Sequence, residues 1–221
     1  MSGRRPCVGA QWPAAIPFWL LAGLHFVNTS WDTTRPWRAV MRKIIESTLV
    51  SLDGVIGHPQ VWANDYFDKE AQADALEQLL ASDAMLMGRR TYEIFAKAWP
   101  ALRSEYADRI NSIRKYIFSS TLERAEWNNS TIIRGDVAAQ VTKLKQQDGQ
   151  DLVIYGHGPL GQTLLEHGLL DELHFAIHPL IVGGGALLFR EGAKTPLKFV
   201  AAKTLGTGVV VLSYQPASPE L

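Results

Sequence analysis

From residue 41 onward the apolar positions follow two alternating spacings. Lys43–Leu49 is strand-like, and Ala84–Met87, Lys115–Phe118 and Asp151–Tyr155 are short, mainly apolar stretches that read as strands. Asp68–Ala81 instead lines Ala71, Ala75, Leu76, Leu79 and Leu80 along one stripe of a helix. Further helices are expected from Arg89, around Arg103–Ile113 after Trp99-Pro100, from the cap Asp136 to about Gln147, and over Leu160–His167. Thr131–Arg134 reads as a short strand. Glu172–Leu180, Leu197–Thr204 and Val209–Tyr214 then follow with no helix between them, as in an antiparallel ending with a final hairpin. Helix and strand alternate first, and strands alone come last. That order predicts a three-layer α/β fold: a mixed, mostly parallel sheet with an antiparallel C-terminal hairpin and helices on both faces.

Composition narrows the function classes. The chain has 221 residues, 47% hydrophobic and 20% charged, with a formal net charge of zero. This suits one globular domain with a sizeable core, or one domain plus an extension. Balanced charge offers no electrostatic case for nucleic acid or an anionic membrane. Cys7 is the single cysteine, which excludes disulfides within the chain and cysteine-based zinc sites. Residues 1–40 differ from the rest, with Arg4, Arg5, an apolar run Ile16–Val27 and Trp12, Trp19, Trp31 and Trp37. We expect a poorly ordered extension there and a domain over 41–221 in the cytoplasm; an export signal in 1–40 is the competing reading. The apolar run is too short to span a bilayer.

Two turns carry the candidate chemistry. After Ala84–Met87, Gly88 lets the chain turn into a helix that opens with Arg89, Arg90 and Thr91. Free N–H groups, the positive end of the helix dipole, guanidinium charge and a hydroxyl together suit a phosphate. After Asp151–Tyr155 comes a second such turn, Gly156-His157-Gly158-Pro159, with Pro159 at a first helical position. Two strand–glycine–helix turns can clasp a diphosphate from both sides. The glycines at 156, 158 and 161 do not make GxGxxG, so a Rossmann fold is disfavoured.

The chain resembles the dihydrofolate reductase fold and, within it, the reductase domain of riboflavin biosynthesis (the RibD C-terminal family). The matching stretches are Ser51-Leu-Asp-Gly-Val-Ile-Gly57, Met87-Gly-Arg-Arg-Thr-Tyr-Glu93, and Gly168-Leu-Leu-Asp-Glu-Leu173 followed by His178-Pro-Leu-Ile-Val-Gly-Gly-Gly-Ala-Leu-Leu-Phe189. The resemblance implies NADPH as cofactor, hydride transfer as chemistry, and a homodimer formed through a sheet edge or the C-terminal hairpin. It assigns Gly88, Arg89 and Thr91 to the diphosphate and 2′-phosphate side, and Ser119 and Ser120 to the 2′-phosphate. Gly156, His157, Gly158 and Leu160 would close over the diphosphate. A 2′-phosphate is well served by a guanidinium with hydroxyls beside it.

On the substrate side, the position of the folate-type carboxylate falls near Gln72, flanked by Glu70 and Asp74 on other helix faces, so folate reduction is not expected. Asp53 is the candidate proton-handling residue, against a plain role in an Asp-Gly turn. Trp62, Asp65 and Tyr66 are the candidate substrate contacts, against an exposed loop tip. His174 and His178 lie about 13 Å apart on a strand and cannot share a metal, so no metal site is expected. Asp171 and Glu172 are expected to cap a turn and stay solvated. Gly183–Gly185 is expected as a tight turn. A Gly-x-Ser-x-Gly elbow is lacking, and so are the His-x-Glu and Cys-x-x-Cys of a zinc deaminase. The resulting expectation is an NADPH-dependent reductase of a small heterocyclic C=N or C=O substrate. A stand-alone pyrimidine reductase of riboflavin synthesis and a non-catalytic NADPH-binding protein are the alternatives.

Overall fold

Apolar runs flanked by helices build a central sheet whose two faces are both covered. The computed structural model describes residues 41–189 and 194–217; the extension expected over 1–40 lies outside the described residues. The strands are β1 (Ile44–Ser51), β2 (Ser82–Gly88), β3 (Arg114–Phe118), β4 (Ser130–Ile133), β5 (Asp151–Tyr155), β6 (Glu172–His178), β7 (Leu197–Thr204) and β8 (Val210–Pro216). The helices are α1 (Pro59–Trp62), α2 (Lys69–Leu80), α3 (Arg89–Ala98), α4 (Glu105–Ser112), α5 (Val137–Lys145) and α6 (Pro159–Glu166). The sheet order is β4-β3-β2-β5-β1-β6-β8-β7. Its first six strands are parallel, while β8 runs antiparallel to β6 and to β7.

Successive residues of a strand point to opposite faces, so the apolar run of β2 feeds two cores. Met85 and Met87 join Ile117, Val153 and the α2, α3 and α4 side chains Leu79, Tyr92 and Ile110 on one face. Leu86 joins Ile44, Leu152, Ile154 and the α5 and α6 side chains Val141, Leu144 and Leu164 on the other. Burying such a side chain contributes roughly 1.5–3 kcal/mol. The helix starts match the sequence signals. Asp68 caps α2 by accepting from Ala71 N at 2.9 Å, and Asp136 caps α5 by accepting from Ala139 N at 2.7 Å.

Three features depart from the sequence reading or extend it. The segment of Trp62, Asp65 and Tyr66, weighed above as a loop tip, holds α1 and a 3₁₀ turn over Asn64–Tyr66. Asp171 and Glu172 are ion-paired, not merely solvated. Asp171 accepts from Ile44 N at 2.7 Å and from Lys145, and Glu172 pairs with Lys43 at 3.0 Å and His174 at 3.2 Å, tying the start of β6 to β1 and α5. Lys115, at the start of β3, is fully buried. Its ammonium donates to the carbonyls of Asn111, Ile113 and Asn128 at 3.0, 2.8 and 3.1 Å and sits 4.2 Å from the Trp127 ring centre. Burial pushes its pKa down to about 8.

Candidate active site

Strand order places the site. β2 and β5 are neighbours, but the chain leaves β2 through α3 toward β3 and leaves β5 through α6 toward β6, on the opposite side. Because α3 and α6 cover opposite faces, their N-termini flank the crevice at the carboxyl ends of these two strands. Such a switch point is where open α/β sheets bind ligands. A cleft of about 1970 Å³ opens there, and Gly88, Arg89, Thr91, Gly156, His157, Gly158 and Leu160 all line it.

Gly88 is the N-cap of α3 in extended conformation and supplies no side-chain cap, so the first-turn N–H groups face the cleft without a side-chain acceptor. Arg89 donates Nε to Glu93 at 2.6 Å and Nη1 to the Thr121 hydroxyl at 2.7 Å. The turn 119–122 at the end of β3 is held from two directions. Ser119 Oγ accepts from Thr121 N and Leu122 N at 3.2 and 2.9 Å, and Arg134 donates to the carbonyls of Ser120 and Leu122 at 2.6 and 2.7 Å. Two guanidiniums and three hydroxyl-bearing residues therefore converge on one turn. Phe118 lines the cleft at this strand end, whereas Ser119 and Ser120 in the turn that follows do not. Sequence reasoning missed Thr121 and Arg134, which carry no local motif.

In the second turn Gly156 has φ +81°, a left-handed conformation suited to glycine. A Cβ added at Gly88, Gly156 or Gly158 would meet nothing within 4 Å, so all three glycines leave open space above the backbone. Gly158 caps α6 without a side chain, and Pro159 occupies its first position as expected. The His157 ring turns toward β1, with Nδ1 2.9 and 3.1 Å from the two carboxylate oxygens of Glu46. Glu46 is fully buried and also accepts from Thr48 Oγ1 at 3.2 Å. Sequence reasoning passed over Glu46 because it lies within a strand.

The other end of the cleft is aromatic. Phe67, Phe95, Trp99, Tyr106 and Tyr155 line it as a chain of rings with centroids 5.4–6.0 Å apart. Tyr106 Oη and Tyr155 Oη are 3.3 Å apart, and burial raises the pKa of both, that of Tyr155 well above the usual range. Both phenols are therefore neutral hydrogen-bonding groups. Tyr66 lines the cleft, and its ring stands edge-on to His178 at 5.4 Å. Trp62 approaches His178 from another side at 5.3 Å, but its indole donates to Gly57 O at 2.8 Å and it braces the loop instead of forming cleft wall. Burial lowers the His178 pKa and keeps the ring neutral. Asp65 is exposed and is not brought to the cleft.

Asp53 does not line the cleft. Its carboxylate accepts from Ser51 Oγ at 2.5 Å, Val182 N at 3.1 Å and Gly183 N at 2.8 Å, clamping the turn after β1 to the loop after β6. These bonds, that of Ser51 foremost, lower its pKa to about 2. A carboxylate so held stays ionised well below its ordinary range. Gln72 lines the cleft and donates to Phe67 O at 3.1 Å. Its acidic neighbours are engaged with the C-terminal hairpin, Glu70 accepting from Gly206 N at 2.7 Å and Asp74 pairing with Lys203.

A family model described as the RibD C-terminal domain matches residues 42–211. Two Bacillus subtilis proteins, the uncharacterized YyaP and YwjB, are 29% and 27% identical over 78% and 76% of this chain and 94% and 95% of their own lengths. Among solved structures, a putative riboflavin biosynthesis protein from Shewanella sp. PV-4 superposes with TM-score 0.64 at 18% identity, covering 80% of this chain and 99% of that one. A diaminohydroxyphosphoribosylaminopyrimidine deaminase/5-amino-6-(5-phosphoribosylamino)uracil reductase from Thermotoga maritima superposes with TM-score 0.56 at 17% identity, over 80% of this chain and 57% of that one.

Proposed function

The chain belongs to the RibD C-terminal domain family, and on that premise we propose that it is an NADPH-dependent reductase of a small, neutral heterocyclic substrate. The observation that carries this reading is the pair of open glycine turns entering one cleft from opposite faces of the sheet, with a guanidinium on one of them. These residues suit a dinucleotide: Gly88, Thr91, Gly156, Gly158 and Leu160 present backbone to the diphosphate. Arg89, Ser119 and Ser120, with Thr121 and Arg134 behind them, present donors to a 2′-phosphate. NADPH, when bound, supplies the hydride. The aromatic wall excludes water and stacks a planar ring, and the neutral Tyr155 hydroxyl orients a carbonyl or ring nitrogen. The proton comes from water, since Asp53 is held ionised.

Titration calorimetry of the full chain with NADPH and NADH tests the reading. Selective binding of NADPH is expected, and loss of NADPH absorbance on adding carbonyl or C=N heterocycles follows from it. Binding of neither nucleotide overturns the proposal. A stand-alone riboflavin-pathway pyrimidine reductase, whose substrate carries a phosphate, is the alternative reading, supported by the description of the Thermotoga maritima neighbour. Turnover with the phosphoribosylated pyrimidine, and not with the unphosphorylated ring, distinguishes it. The homodimer is proposed to use β7, the outermost strand, where Phe199 and Val200 are 56% and 45% exposed.

A further inference from the structure

A fully buried glutamate lies beneath the second glycine turn, and nothing in the reaction outlined above uses it. Glu46 sits on the central strand β1, and its carboxylate meets two polar partners among the described residues, Thr48 Oγ1 and His157 Nδ1. The His157 side chain is 7% exposed. A buried charge is costly unless it is paired, and the imidazole is the ring that faces this carboxylate among the described residues.

The surrounding backbone is shaped to the pair. Gly161, the third residue of α6, lies so close that a Cβ there would overlap Glu46 Oε2 and approach His157 Nδ1 at 3.2 Å. Any larger residue would lift the helix start off the carboxylate. The third glycine, which fails the dinucleotide spacing, thus has a separate physical reason. An ionised carboxylate only accepts hydrogen bonds, so the pairing puts a proton on Nδ1. His157 lines the cleft and Glu46 does not. Nε2, which has no hydrogen-bond partner among the described residues, is therefore the ring nitrogen left for a ligand.

We infer that Glu46 is a positioning residue that holds the His157 imidazolium with Nε2–H toward the anion bound at the 156–158 turn, so that this turn grips a diphosphate with a side chain as well as backbone. The inference rests on the dinucleotide reading of the cleft. It gives the buried pair a function because a carboxylate–imidazolium pair is neutral overall and yet still offers a charge-assisted donor to a phosphate.

The test uses the full chain with NADPH and with inorganic pyrophosphate as probes. Glu46→Gln keeps the shape and removes the charge; His157→Gln removes the ring. Each is expected to raise the NADPH Kd about tenfold, the size of one lost charge-assisted hydrogen bond. The double variant should lose no more than either single within about twofold, because the two residues act as one unit. In the wild-type protein the ¹⁵N resonance of His157 Nε2 should shift on adding either probe. That measurement stands even if Glu46→Gln fails to fold. Three results overturn the inference: folded variants that bind NADPH like the wild type, a double variant whose loss is the product of the singles, or an unmoved Nε2 resonance in protein that binds NADPH. A wild-type protein that binds neither probe would remove the cofactor reading and this inference together.

Discussion

Replacing Arg89 by alanine separates the two nucleotides most sharply. Arg89 is about half exposed, and its Nε is paired with Glu93 one helical turn on, at 2.6 Å. An exposed pair at that spacing is worth about 0.3–0.5 kcal/mol, and the guanidinium must give up part of it to reach a phosphate. A guanidinium–phosphate hydrogen bond contributes about 1.5–3 kcal/mol. The difference leaves a net loss of about 1–2.5 kcal/mol for Arg89→Ala, or roughly 5- to 70-fold in Kd for NADPH. NADH has no 2′-phosphate, so its Kd should change by less than about twofold. The same arithmetic gives a converse: Glu93→Gln frees Arg89 and should tighten NADPH about twofold. Calorimetric titration of both variants with both nucleotides measures all four values. Equal weakening of NADPH and NADH by Arg89→Ala, or no weakening of either, would refute the placement of the 2′-phosphate at the 119–122 turn.

Three further outcomes follow from particular contacts. Asp53 has its pKa lowered from 3.8 to about 2, so it stabilises the fold above the unfolded value and loses that contribution as pH falls between the two. Asp53→Asn should therefore flatten the acid limb of a denaturation profile in that window; turnover abolished at neutral pH with an unchanged melting temperature would restore a chemical role to Asp53. Lys115 has the opposite sign: with its pKa lowered from 10.5 to about 8, the unfolded chain binds more protons between those values, and stability rises with pH across them. Urea midpoints at pH 7.5 and 10 should show the wild type gaining on Lys115→Met, and a constant difference would mean that the ammonium is not desolvated. Phe199→Glu on the edge strand β7 should convert a dimer to monomer in light scattering after gel filtration, and an unchanged mass would exclude that edge as the interface.

The parts of this fold that were legible in the sequence are those fixed by near neighbours. β5 could be read as Asp151–Tyr155 because both faces of the sheet are covered and the whole run is apolar. Pro159 and Asp136 marked helix starts because capping is a matter of three or four residues. What stayed hidden depends on distant partners. The bonds that turn Asp53 from a candidate acid into a clamp come from Val182 and Gly183, 129 and 130 residues away. Glu46 and His157 are 111 residues apart, and the strand pattern by itself makes Glu46 look like an interruption. Tyr106 and Tyr155 meet only because α4 lies over the end of β5. Local chemistry named the turns; topology decided which side chains look into them.

That division also explains why the two ends of the cleft differ in character. At the β2 and β3 ends, helix starts and guanidiniums gather positive potential where the sheet switches direction. At the α2 side, Glu70 and Asp74 are engaged with the C-terminal hairpin. Aromatic rings and neutral phenols make the wall that remains. Arg103, close in the chain to Trp99 and Tyr106, and Glu77 of α2 also line the cleft, so polar atoms of a ring have charged groups within the same cleft. A flat, uncharged ring with one or two polar atoms loses least on entering and gains the full stacking surface. On the proposed reading, the end with the two glycine turns selects by charge and the aromatic end by shape.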